Sequence, residues 1–167
     1  TTDPTRKLPL LVPTGARLGN SASERDQTSM AETSGRIVYE GPSKIDGERI
    51  VVIVTGMDGD SKNPKTGEMA QLWILCTDIS PHQAIKLGKD VSICGLCRHR
   101  GINGTKRTCY VRVSFGGPSA IYRCYFSGGY PQADPQEIDS RLGDLGMRLG
   151  AYGDPAAIPV PVLRSIM

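Results

Sequence analysis

Three cysteines, Cys94, Cys97 and Cys109, share the segment CGLCRHRGINGTKRTC (94–109) with His99, Arg98, Arg100, Lys106 and Arg107, and no carboxylate occurs there. Thiols so grouped can bind a metal, exchange disulfides or attack an electrophile. Cys94 and Cys97 form a C-x2-C knuckle, whose tight turn points both thiolates at one ion, as zinc and iron–sulfur sites require. Cys109 follows after eleven residues, and a loop with Gly101 and Gly104 can return it to the knuckle. Cys124 comes fourteen residues later and is the first candidate for a fourth ligand; His99 and Cys76 are the others. Tetrahedral zinc needs one of these three, whereas an iron–sulfur cluster can leave one iron open. Each also has a plainer reading: Cys124 as a small buried helix residue, His99 as a surface base, Cys76 as a core thiol. A Cys94–Cys97 disulfide is the structural alternative.

The positive charge around the cysteines is local. Between Asp90 and Asp134 there is no Asp or Glu, but Arg98, Arg100, Lys106, Arg107, Arg112 and Arg123 all lie there, while the net charge of the whole chain is only +3. These cations either offset thiolate charge or contact phosphates. Of the nine aromatic residues, Tyr110, Phe115, Tyr122, Tyr125, Phe126 and Tyr130 fall in the same stretch. Stacking on bases would use such rings. Aromatics at helix and strand spacing are more often core, so at most two are assigned to a ligand surface.

The elements that must position these residues follow from periodicity and punctuation. RIVYE (36–40) and RIVVIVT (49–55) read as strands joined through Asp46-Gly47, and MAQLWILCT (69–77) reads as a buried strand. Ser80 and Pro81 open a short helix that Gly88 stops, with His82 on its first turn as a solvated residue. TCYVRVSF (108–115) alternates like a half-buried strand. Gly116-Gly117-Pro118-Ser119 turns it into a helix through PSAIYRCYF, ending at Gly128-Gly129; as an anion site this turn is weak, because no Walker lysine follows. Asp134 and Glu137 resemble a capping box opening a helix to about Leu145, and RLGAY (148–152) reads as a strand. Asp58 and Asp60 lie in a loop without the Gly and Glu of a calcium site, so they are turn residues.

Alternating strand and helix signals from residue 69 onward give an α/β fold, with α+β as the alternative. Residues 1–35, rich in Thr, Ser, Gly and Pro, read as an extended arm that needs a protein partner or an assembly to hold it. Residues 36–167 form one domain, with a cysteine-rich module at 91–130. No apolar run approaches a membrane span, and no secretory signal opens the chain, so a cytoplasmic setting is expected. In that setting clustered cysteines point to a metal more than to a disulfide framework.

The series KTGEMAQLWIL, DVSICGLCRHRG, TCYVRVSFGGPSAIYR, GGYP and RLGAYGDPAAIP resembles the front half of a phage-encoded cysteine-rich family of the gene-product-88 type, over residues 65–162. The resemblance implies an incomplete barrel-like α/β fold with a metal or iron–sulfur site. It matches Cys94, Cys97 and Cys109 to the family's cysteines, whereas the position of Cys124 is usually a small residue there. Family members continue into further strands, so a truncated relative or a front fragment is expected. The C-x3-C-x2-C arrangement of radical enzymes is absent.

Taken together, these features lead to one expectation and two rivals. The first is a phage accessory protein, in the host cytoplasm or the virion, whose zinc or iron–sulfur site is held by Cys94, Cys97 and Cys109, with Cys124 as fourth candidate. Arg98, Arg100, Lys106 and Arg107 would then face nucleic acid or another polyanion. The rivals are a virion or assembly component that uses the arm and cysteine staples, and an iron–sulfur enzyme acting on nucleotides. Whether the chain is an enzyme stays open, since only one His and no carboxylate accompany the cysteines to act as a base.

Overall fold

A strand whose side chains are apolar in near-continuous succession can be buried on both faces, and the centre of the molecule is built from two such strands. In the computed structural model, which describes residues 34–59, 67–101, 105–114 and 117–167, these are β2 (Arg49–Thr55) and β3 (Ala70–Cys76). Ile50 through Val54 are fully buried, as are Leu72, Ile74 and Leu75. They pair antiparallel with Ile50 opposite Cys76 and Thr55 opposite Gln71. On the outer side of β2 lies β1 (Arg36–Pro42), also antiparallel, with a register shift between Ile37 and Tyr39. The shift is a bulge of the kind that twists a strand near a sheet edge.

The fourth strand, β4 (Met147–Tyr152), pairs parallel with β3, giving an open mixed sheet in the order β1-β2-β3-β4. A parallel neighbour demands a long crossover. Here it contains α1 (Pro81–Lys86), α2 (Val91–Cys94), a 3-10 turn (Arg98–Arg100), α3 (Gly117–Phe126) and α4 (Pro135–Leu142). After β4 come a 3-10 turn, Pro155–Ala157, and α5 (Val160–Ser165). Helices α1, α2 and α3 pack on β3, and α2 also meets β2, so the sheet centre is covered as its sequence requires.

The local stops and starts agree with their sequence signals. Ser80 caps α1 by accepting from the Gln83 amide, and Asp134 caps α4 by accepting from the Gln136 amide. Glu137 does not close the expected capping box; it binds Arg36 and Arg141 instead. Helix α4 stops at Leu142 because Gly143 takes a φ of 46°, which ends the helix before Leu145.

One predicted strand is not formed. Residues 108–114 keep their alternation, with Val113 buried and Tyr110 and Arg112 exposed, but they belong to no sheet. Their first amides are used elsewhere, since Thr108 and Cys109 both donate to the His99 carbonyl (3.2 and 3.0 Å). The expected arm lies outside the described residues except for Ser34 and Gly35, as do Asp60, Gly104, Phe115 and Gly116. Among the described residues no helix is long and apolar enough to cross a membrane.

Candidate functional site

The cysteine region is assembled on α2, a single helical turn fastened at several points. Ser43 donates to the Ser92 carbonyl (2.6 Å), Ser92 donates to Asp46 (2.8 Å), and the Asp154 amide donates to the Ile93 carbonyl (2.6 Å). The last bond draws the end of β4 up to the helix. Cys94 closes α2, Gly95 turns the chain out with φ 53°, and Cys97 stands exposed after that turn.

The return of Cys109 depends on Gly101. Its φ of 79° is left-handed, and a Cβ there would lie 2.8 Å from the Arg107 amide nitrogen and the Thr105 carbonyl oxygen. Only glycine allows the chain to fold back on itself this closely. The two amide bonds to the His99 carbonyl then fix Cys109 beside the knuckle, as its sequence spacing suggests.

Cys94, Cys97 and Cys109 line one cavity of about 320 Å³, together with Tyr110, Val111, Leu149, Gly150, Tyr152, Gly153, Asp154 and Pro155. All five cysteines of the chain are free thiols. Burial, and then the nearby Asp90 carboxylate, pushes the Cys94 thiol up to about 12. Tyr152 is 1% exposed, and its hydroxyl is sealed from solvent without a hydrogen-bond partner among the described residues. Burial and then the proximity of Cys94 also push its phenol up. The three sulphurs share a cavity without forming a coordination sphere: among the described residues, no three His, Cys, Asp or Glu side chains are grouped to hold a metal ion.

The other candidate ligands are placed elsewhere. Cys124, on α3, is half-buried near Tyr130, and a Cβ on Gly129 would come 2.6 Å from its sulphur. Cys76 ends β3 against the Lys89 carbonyl and lines a separate cavity of about 240 Å³ with Asp46, Asp78 and Ser92. The Nδ1 of His99 lies 2.9 Å from the Thr108 hydroxyl, which steadies the loop. His82 is exposed on the first turn of α1.

The four nearby cations divide into two pairs. Arg100 donates to Asp90 (2.7 Å) and to the Gly95 and Gly88 carbonyls (2.7 and 3.0 Å), and Arg107 reaches the other Asp90 oxygen at 3.3 Å. Asp90 is the residue that the sequence reading missed; it stands at the very border of the carboxylate-free stretch. Arg98 and Lys106, by contrast, are exposed and have no carboxylate partner among the described residues, and neither have Arg112 and Arg123.

The aromatic residues divide in the same way. Tyr122 is buried and stacks with Phe126 at 5.9 Å, while Tyr125 and Tyr130 are half-buried. Phe126 and Tyr110 are exposed, and Tyr110 accepts a hydrogen bond from Arg148 (2.8 Å), whose guanidinium lies 5.7 Å from the ring centre. The turn before α3 closes on itself, since the Ser119 hydroxyl donates to the Val113 carbonyl. Protein-family models, curated proteins and solved structures give no match to the chain.

Proposed function

We propose that this chain is a thiolate metal-binding protein, with Cys94, Cys97 and Cys109 as ligands of a zinc ion or an iron–sulfur cluster and a basic surface beside them. The observation that carries this reading is the convergence of three thiols, distributed over a helix end, an exposed turn and a returning strand-like segment, on one cavity. Cys76, Cys124 and His99 each have other neighbours. Soft sulphur donors select zinc and iron–sulfur groups over hard cations. The reading requires Cys97, on its exposed turn, to close on Cys94 and Cys109 when the metal binds.

Thiol–disulfide exchange is the weaker reading. Redox C-x2-C pairs use a helix N-terminus to favour the thiolate, whereas Cys94 lies at the C-terminal end of α2.

For the basic surface, Arg98 and Lys106 are the cations available to nucleic acid or another polyanion, because Arg100 and Arg107 are committed to Asp90. Phage origin, and with it the host cytoplasm or the virion as location, rests on the sequence resemblance alone.

Elemental analysis of anaerobically purified protein tests the metal. Zinc or iron should be present, and Cys94→Ser, Cys97→Ser and Cys109→Ser should each lower metal retention at least tenfold, while Cys76→Ser and Cys124→Ser retain it. Absence of both metals defeats the proposal, and an equal loss in Cys124→Ser changes the ligand set. For the surface, binding to duplex DNA should weaken with salt, and the Arg98→Ala, Lys106→Ala double variant should flatten the log–log slope by about 1 to 2. DNA binding that is indifferent to salt removes the polyanion part.

A further inference from the structure

We infer that the exposed side of residues 106–114 is a binding ridge for single-stranded nucleic acid, on which Tyr110 stacks against a base while Lys106 and Arg112 hold phosphates. This rests on the polyanion reading, whose ligand class it names, and is independent of any metal at the thiols.

The segment has two sides with different duties. Lys106, Thr108, Tyr110, Arg112 and Ser114 are exposed, whereas Arg107, Cys109 and Val111 are half-buried and Val113 is buried. The inner row is occupied: Arg107 reaches Asp90, Cys109 and Val111 line the thiol cavity, and Val113 joins the core. With its inner row fixed in this way, the segment can turn only the other row to water.

That outer row carries what a single strand needs. Tyr110 is 73% exposed, so ring surface is left for a base even though Arg148 holds its hydroxyl at 2.8 Å. The Arg148 guanidinium, 5.7 Å from the ring centre, adds positive charge beside it. Lys106 and Arg112 have no carboxylate partner among the described residues. An aromatic platform between cations is the arrangement that binds single strands with little regard for sequence.

The ridge is also held in place before any ligand arrives. Near its start the Thr108 and Cys109 amides donate to the His99 carbonyl, and near its end the Val113 carbonyl accepts from the Ser119 hydroxyl. A segment already ordered loses little freedom on binding.

Duplex DNA fits this surface less well. Its bases are stacked on one another, which leaves the Tyr110 ring without a face to meet. Its major groove admits an α-helix or a two-stranded ribbon, whereas 106–114 joins no sheet among the described residues.

The test titrates a labelled oligothymidylate of about twelve nucleotides with the full-length protein, followed by fluorescence anisotropy. The single strand should bind at least tenfold more tightly than a duplex of equal length. Tyr110→Ala should weaken it about tenfold, as loss of one stacked base does, while Tyr110→Phe, which keeps the ring, stays within about threefold of wild type. Arg112→Gln should flatten the log–log salt slope by about 0.7. An oligonucleotide carrying 5-iodouracil should photocross-link to Tyr110. If the duplex binds as tightly as the single strand, if Tyr110→Ala binds as wild type does, or if the cross-links fall only outside 105–114, the inference is overturned and the polyanion reading stands. If neither nucleic acid binds, both are overturned.

Discussion

Two clusters in this molecule set a pair of arginines on a carboxylate, and they differ in their access to water. Asp90 takes Arg100 and Arg107, with side-chain exposures of 3, 9 and 21%. Glu137 takes Arg36 (2.6 Å) and Arg141 (2.9 Å), and Arg141 also holds Asp58; Glu137 is 30% exposed and Asp58 41%. The pairing chemistry is the same in both. In water, attraction between such charges is largely cancelled by hydration and screening, so a broken pair is readily resolvated. Out of water, each charge depends on its partner, because removing one strands the other in a medium that cannot solvate it. The Asp90 cluster therefore pins the cysteine loop, joining residues 88, 90, 95, 100 and 107. The Glu137 cluster is a latch between α4, β1 and the turn after β2.

The largest effect should come from Asp90→Ala. It leaves two guanidinium groups without a counter-charge, and removal of one partner from a buried pair typically costs about 3–5 kcal/mol. Arg141→Ala, in the exposed cluster, should cost no more than about 1 kcal/mol. Urea denaturation of the metal-free protein gives both numbers. Hydrogen exchange adds a local readout, because the Thr108 and Cys109 amides should lose protection in Asp90→Ala and keep it in Arg141→Ala. Equal penalties for the two variants would break the comparison.

The difference between the clusters also explains what the sequence made legible. The buried strands were readable because RIVVIVT and LWILC can satisfy their apolar side chains only inside a sheet. Ser80, Gly88, Asp134 and Gly128 were readable because caps and left-handed turns are local chemistry. The 108–115 segment misled because alternation reports which side chains face inward, and an extended chain keeps that alternation with or without a neighbouring ladder. The convergence of Cys94, Cys97 and Cys109 was visible in their spacing and in Gly101. The separate placement of Cys124 was not, since it depends on how α3 sits against Tyr130. Asp90 was hidden for a similar reason. Counting charge along the chain set it outside the basic stretch, whereas the fold brings it to arginines ten and seventeen residues away. The Tyr152 hydroxyl, without a partner among the described residues, had no sequence signal at all, because burial of a tyrosine says nothing of its acceptor.

The second effect sharpens the sealed side of the comparison at alkaline pH. Burial, and then the charges of Asp78 and Asp90, push the Cys76 thiol up to about 12 from an ordinary 9.0. Above pH 9 the unfolded chain gives up this proton while the folded chain keeps it. The unfolded state then binds fewer protons, and stability falls as pH rises toward 12. The slope from this one group approaches about 1.4 kcal/mol per pH unit. Unfolding free energy measured from pH 8 to 11 should decline less steeply in Cys76→Ala than in the wild type. Lost packing in that variant lowers the whole curve without imitating the change in slope. Parallel curves would mean that the Cys76 environment is open to water in solution.

The smallest effect lies on the exposed side and has the opposite pH sign. The hydrogen bond from Arg141 holds the Asp58 carboxyl below its usual range, and Arg36 and then Arg141 do the same for Glu137. Carboxyls depressed in the folded state contribute stability above their unfolded pKa and lose it as pH falls through the folded one. Below about pH 5, stability should therefore decline less in Glu137→Gln than in the wild type, by an amount that solvent screening keeps small. Salt separates the two clusters most cleanly. Raising ionic strength from 0.1 to 1 M shortens the screening length from about 10 to about 3 Å, which acts on exposed charges and hardly reaches sealed ones. The Glu137→Gln penalty should shrink in 1 M NaCl, while the Asp90→Ala penalty persists. If both penalties fell in the same proportion, water would reach Asp90 as freely as Glu137, and the cysteine loop would be held by something other than a buried charge cluster.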